Sequence, residues 1–119
     1  MKVLITAQGD SPDSEVDPRF GRARSFVVYD TDANTYTAVS NAQNIQAAQG
    51  AGIQAGRTAV DTGARAVLTG NCGPKAFRVL QEAGIQVYVG VKGTVREAVE
   101  AFQRGSLTRA DSANVQGHW

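Results

Sequence analysis

Residues 69–77 of this 119-residue chain read Thr-Gly-Asn-Cys-Gly-Pro-Lys-Ala-Phe, and they carry its densest chemical signal. An apolar run ends there, a glycine turn follows, and a helix begins with Pro74 near its first position. A helix start offers backbone N–H groups that lack intrahelical acceptors, together with the positive end of the helix dipole. Such a start binds anions, so Asn71, Cys72, Gly73, Pro74 and Lys75 form the first candidate site. Cys72 precedes the helix, where a thiol pKa can be lowered and a thiolate becomes a ligand for a soft metal. Lys75 adds positive charge to the first turn. The alternative is that glycine and proline merely turn the chain and Cys72 is a small buried filler.

A second candidate is Asp17-Pro18-Arg19-Phe20-Gly21-Arg22-Ala23-Arg24, with three arginines inside six residues. Guanidinium groups clustered around a glycine suit a polyanion. Asp10, Asp13, Glu15 and Asp17 precede them, so a solvated loop of mutually neutralising charges is the competing reading. The third candidate is Gln49-Gly50-Ala51-Gly52-Ile53-Gln54-Ala55-Gly56. Its spacing is not that of a dinucleotide fingerprint, and no strand runs directly into it. Glycines at a helix start still let backbone amides approach a ligand, or let another segment pack closely.

Other chemistries lack parts. Twelve Lys and Arg against eleven Asp and Glu leave a net charge of +1, without the basic field of a general nucleic-acid binder. One cysteine cannot form an intrachain disulfide, and one histidine, His118, cannot build a histidine-based zinc site or a Ser–His–Asp triad. The strand ends Val3-Leu4-Ile5-Thr6 and Val67-Leu68-Thr69 carry none of the carboxylates that two-metal hydrolysis needs. Val3-Leu4-Ile5 is also too short for a signal peptide or a membrane span, which points to a cytoplasmic protein.

These candidates need a scaffold. Lys2 to Ala7 reads as a short buried strand, and Ser25 to Ser40 as an antiparallel hairpin around Thr-Asp-Ala-Asn-Thr. Gln49 to Thr62, Pro74 to Ala83 and Thr94 to Arg104 read as helices stopped by Gly63, Gly84 and Gly105. Thr94 and Glu97 have capping-box spacing. Strands fall between the helices, at Ala-Arg-Ala-Val-Leu-Thr-Gly and Ile-Gln-Val-Tyr-Val-Gly. The order β-β-β-α-β-α-β-α predicts a five-stranded mixed α/β sheet with the hairpin at one edge, parallel strands elsewhere and helices on both faces. It is similar in element order to the ribonuclease H-like fold, and it puts the loops after Ala7, Thr69 and Val89 on one rim, where open α/β sheets bind ligands. Residues 8–24, rich in charge and proline, are expected to be mobile until an anion orders them. Residues 1–106 form one domain in this reading, and residues 107–119, including His118 and Trp119, a flexible tail.

Asp-Pro-Arg-Phe-Gly-Arg-Ala, the stretch from Gln49 through Phe77, and Ala-Gly-Ile-Gln-Val-Tyr-Val-Gly followed by Thr-Val-Arg-Glu-Ala-Val-Glu-Ala-Phe together resemble the dinitrogenase iron–molybdenum cofactor biosynthesis family. That family includes nitrogenase cofactor carriers, the C-terminal region of the cofactor synthase, and the orange proteins of sulfate-reducing bacteria. The resemblance spans roughly residues 1–106, and in length the chain is most like a stand-alone orange-protein-type member. It implies a ribonuclease H-like fold without catalysis, binding an anionic metal–sulfur cluster: molybdenum–copper sulfide, or an iron–molybdenum cofactor precursor. It also implies donor and acceptor proteins for the cluster. Carried over by position, the implied site comprises Arg19, Phe20, Gly21, Arg22, Gly50, Gly52 and Asn71 to Pro74. Many members have histidine before Gly-Ala-Gly, whereas Gln49 stands here, so histidine ligation is not inherited at that position. A small-anion or nucleotide-binding module is the main alternative, and a ribonuclease H-like hydrolase a more distant one.

Overall fold

The computed structural model describes residues 1–42 and 50–115. Among them, strands β1 (Lys2–Ala7), β2 (Ser25–Asp30) and β3 (Thr35–Ser40) precede helix α1 (Ala51–Asp61). Strand β4 (Ala64–Leu68), helix α2 (Pro74–Glu82), strand β5 (Gln86–Val89), helix α3 (Val95–Gln103) and strand β6 (Thr108–Arg109) follow. The strands form one sheet in the order β3-β2-β1-β4-β5-β6. β4 runs parallel to β1 and β5 parallel to β4, while β2 is antiparallel to both β1 and β3.

Alternation along the central strands explains the layers. Leu4 points to one face and Val3 and Ile5 to the other, as period-two geometry requires. On the first face Leu4, Phe26, Val28, Val67 and Val87 meet Ala55 and Ala59 of α1 and Ala76, Phe77 and Leu80 of α2. On the second, Val3, Ile5, Val27 and Leu68 meet Val95, Ala98 and Val99 of α3. Each fully buried leucine or phenylalanine contributes about 1.5–3 kcal/mol of apolar transfer, so the two layers hold the domain without a disulfide.

The β2–β3 hairpin spans Ser25 to Ser40 in unbroken register, as its sequence predicts. Its turn is made by Asp30, whose carboxylate accepts from the N–H groups of Asp32 (2.9 Å) and Ala33 (3.2 Å), and by Asn34 in the left-handed region at φ 55°. Those two donors stabilise the anion and hold the Asp30 carboxyl below its ordinary value. The capping box of α3 also forms: Glu97 N–H donates to Thr94 Oγ1 (3.1 Å), and Thr94 N–H donates to Glu97 Oε1 (2.9 Å).

The sheet has six strands, not five. β6 pairs antiparallel with β5 through Tyr88–Arg109 and Val89–Thr108, inside the segment read as a flexible tail. Ala110 N–H continues the ladder to Val87 O at 2.8 Å. The first residue of the expected first helix, Gln49, lies outside the described residues, as do His118 and Trp119. Among the described residues, no helix is long and apolar enough to cross a membrane.

Candidate functional site

The C-terminal ends of β1 and β4 lie side by side, and two threonines terminate them. Thr6 and Thr69 are fully buried, with hydroxyl oxygens 2.8 Å apart. Thr6 Oγ1 also lies 2.7 Å from the Asp17 carbonyl oxygen, and Asp17 N–H donates to Thr6 O at 2.9 Å. These bonds stitch the long loop after β1 to the strand ends. Further along, Val16 N–H donates to Gly93 O (2.8 Å) and Phe20 N–H to Asn71 O (3.2 Å). Asn41 Nδ2 donates to Ala23 O (2.7 Å) and Gly21 O (3.2 Å). Val16, Phe20 and Ala23 are buried, so the loop has an apolar anchorage that its charge and proline content concealed.

The starts of α1 and α2 stand next to each other on this rim. A Cβ placed on Gly52 would lie 3.2 Å from Ala76 Cβ, and one on Gly56 would lie 2.9 Å from Val79 Cγ1. The two helices therefore run close and in the same direction. Gly21 brings the arginine loop equally near, since a Cβ there would sit 3.0 Å from Gly52 Cα and N. The N-cap of α1 is Gly50, at φ 80°, and that of α2 is Gly73; neither start has a side-chain cap. The first turns of α1 and α2 thus meet on the rim beside the loop of Arg19 and Arg22, with Gly21 packed against Gly52 N and Gly52 against Ala76 N, while Pro74 has no N–H to offer.

The structure places the predicted residues unequally. Arg19 and Arg22 are half-buried and engaged, and Arg19 N–H donates to Asp17 Oδ1 at 3.0 Å. Gly50 faces open space, and Lys75 is exposed. Gly52 and Gly21 serve the close approach of protein segments. Phe20 is a correction: its side chain is fully buried, its ring stacked on Phe26 at 5.8 Å, which makes it core and removes it from ligand contact. Asn71 spends its carboxamide internally, Nδ2 donating to Pro18 O (3.1 Å) and Oδ1 accepting from Asn114 Nδ2 (3.1 Å).

Cys72 is the second correction. It is fully buried, and burial pushes its thiol up to about 12, opposite to the expected lowering beside a helix start. The cause is desolvation of the thiolate. Its sulfur lies 3.7 Å from Gly73 O, a weak contact of a neutral thiol. Among the described residues, no group of three or more His, Cys, Asp or Glu side chains is placed to hold a metal ion.

Sequence reasoning missed Asn114. Its Oδ1 accepts from Cys72 N–H at 2.8 Å, and its own N–H donates to Cys72 O at 3.2 Å. Nothing about one asparagine in a polar segment marks it; the only hint is Ala110 and Ala113, small apolar residues that pack on the first-face core.

The fold is an open α/β sheet whose strand C-terminal rim carries two helix starts without side-chain caps and the loop of Arg19 and Arg22, at the edge where sheets of this class bind ligands. The family described as dinitrogenase iron-molybdenum cofactor matches residues 1–105, and the chain belongs to that family. The apo form of the orange protein from Desulfovibrio gigas is 42% identical, covers 96% of each chain and superposes with a TM-score of 0.93. A NifB-like protein from Thermotoga is 34% identical over 98% of each chain, with a TM-score of 0.84. An uncharacterised protein from Methanocaldococcus jannaschii is 26% identical over 100 residues, which is 81% of this chain and 83% of that protein.

Proposed function

We propose that this protein is a non-catalytic carrier of an anionic metal–sulfur cluster, molybdenum–copper sulfide foremost and an iron–molybdenum cofactor precursor second. The carrying observation is the rim itself: two uncapped helix starts adjoin an arginine loop, while the Cys72 side chain is fully buried. A thiomolybdate-type cluster spreads negative charge over sulfur and already satisfies its metals. It therefore calls for N–H donors and guanidinium groups more than for new ligands. Arg19, Arg22 and the amides of Ala51 and Lys75 supply that set in this reading, and Asn71 and Gly73 shape the turn beneath it. Held by hydrogen bonds, the cluster could pass intact between a donor and an acceptor protein. The similarity to an orange protein and to a NifB-like protein supports the same reading. We take the fold, in keeping, as ribonuclease H-like without nuclease chemistry.

Anaerobic titration of the apo-protein with tetrathiomolybdate and cuprous ion tests this. Wild type and Cys72→Ser are both expected to develop charge-transfer absorption, with only modestly weaker retention in the variant. Loss of reconstitution in a folded Cys72→Ser protein would make the thiolate a ligand. Binding of phosphate or a nucleotide in preference to the sulfide mixture would replace the carrier with a small-anion module.

A further inference from the structure

From Ser106 onward the chain lies beyond the residues that the family match covers, yet it reaches the rim. β6 pairs with β5, Ala110 and Ala113 pack on the core cluster that contains Cys72, and at Asn114 the strap reaches the turn between β4 and α2. Asn114 closes that turn from outside, bonding Cys72 N–H and Cys72 O, with Nδ2 directed to Asn71 Oδ1 at 3.1 Å and Gly70 O at 3.5 Å. On its other side Asn71 holds the arginine loop, its Nδ2 donating to Pro18 O and its carbonyl accepting from Phe20 N–H. Both polar ends of one carboxamide are therefore occupied, one by the strap and one by the loop. Gly70 tightens the arrangement, because a Cβ there would lie 2.7 Å from Pro18 Cα.

We infer that Asn71 is a bracket through which the strap, latched by Asn114, sets the position of the arginine loop and so tunes anion retention at the rim. The retention half rests on the carrier reading above; the coupling of strap to loop does not. Removing the Asn114 carboxamide takes the strap's donor from Asn71 Oδ1, so the Asn71 Nδ2–Pro18 O bond loosens, and the loop's neighbouring bond from Phe20 N–H to the Asn71 backbone carbonyl opens more often. Groups sharing one hydrogen-bonded network couple in this way, whereas distant ones act independently.

Hydrogen exchange on the apo-protein tests the coupling directly. In Asn114→Ala the amides of Cys72 and Phe20 are expected to exchange about tenfold faster, with the β2–β3 ladder unchanged. Asn114→Asp separates the two contacts. Its carboxylate still accepts from Cys72 N–H, so that amide keeps its protection, but it cannot donate to Asn71, so Phe20 still quickens. Unchanged Phe20 exchange in both variants would overturn the inference, because the strap would then act on its own turn alone. Titration with tetrathiomolybdate and cuprous ion supplies the second arm, with roughly threefold to tenfold weaker retention expected in each variant. Equal retention by wild type and variants would remove the tuning role. Failure of wild type to bind the mixture would sink the carrier reading, and the exchange result would still decide the latch.

Discussion

The N-terminus of α3 and the paired N-termini of α1 and α2 face the same requirement, since each opens with backbone N–H groups that have no helical acceptor. They meet it in opposite ways. At α3 the chain supplies its own solution, Thr94 and Glu97 exchanging bonds in a closed box. At α1 and α2 the caps are glycines, and no side chain closes either start. All three helices follow the C-terminal ends of strands or the hairpin, so the contrast is not one of position along the fold. It separates a helix start closed by its own side chains from two that no side chain caps, which the carrier reading assigns to the anion. The α3 start is an internal control for the site.

The comparison breaks most decisively at the arginines. Arg19→Ala and Arg22→Ala are each expected to weaken cluster retention by about 1.5–3 kcal/mol, the worth of a hydrogen bond to a charged group. Arg96→Ala, near the α3 start, should leave retention unchanged; titration of the three variants with tetrathiomolybdate and cuprous ion reads the difference. Equal losses at all three would dissolve the distinction between the two kinds of start.

Gly56→Ala tests the spacing of α1 and α2. The new methyl must displace Val79, and overpacking of this kind costs about 1–3 kcal/mol, partly offset by alanine's better helix propensity. Urea unfolding is expected to show a net loss of stability, accompanied by weaker retention as the two starts separate. A variant as stable as wild type would mean that the helices are free to part.

Swapping the caps sharpens the contrast. Thr94→Ala should cost about 1 kcal/mol of stability, with no change in retention. Gly73→Ser, at a backbone conformation any residue can adopt (φ −76°), should gain a few tenths of a kcal/mol. On the carrier reading it should lose retention, because its hydroxyl would occupy first-turn amides of α2. Thermal melts and titrations of the same two proteins check both halves.

The smallest expected effect is in pH. Bonds from Thr94 hold the Glu97 carboxyl below its ordinary value of 4.5, so its contribution is present above that value and is lost as pH falls through the lowered one. Glu97→Gln is expected to flatten the acid limb of the melting temperature against pH without altering anion retention at neutrality.

Legibility in the sequence followed the range of the interactions. The hairpin was readable because β-branched runs flank an Asp/Asn turn, and α3 because a capping box needs only two residues three apart. The rim was readable for the same reason: glycine, proline and arginine mark local backbone events. β6 was not, because two residues joined by backbone bonds leave no side-chain pattern. Burial also escaped. Phe20 sits between arginines in sequence but stacks on Phe26 in space, and Cys72 stands beside a helix start but beneath the chain that returns at Asn114. The glycines at 52 and 56 were ambiguous between ligand approach and packing. Their neighbours Ala76 and Val79 decide for packing, and the ligand gains only the result.

That result has a consequence for selectivity. Parallel helices in such close contact have axes about 8–10 Å apart, and a spacing fixed by packed atoms does not stretch to suit a visitor. On the carrier reading, the two helix starts would therefore work as a fixed caliper. An ion much smaller than the gap touches one jaw at a time, whereas a polynuclear body with acceptor atoms on opposite sides meets both. In such a device discrimination comes from the width of the opening, set by the missing side chains of two glycines, and not from the identity of any ligating residue.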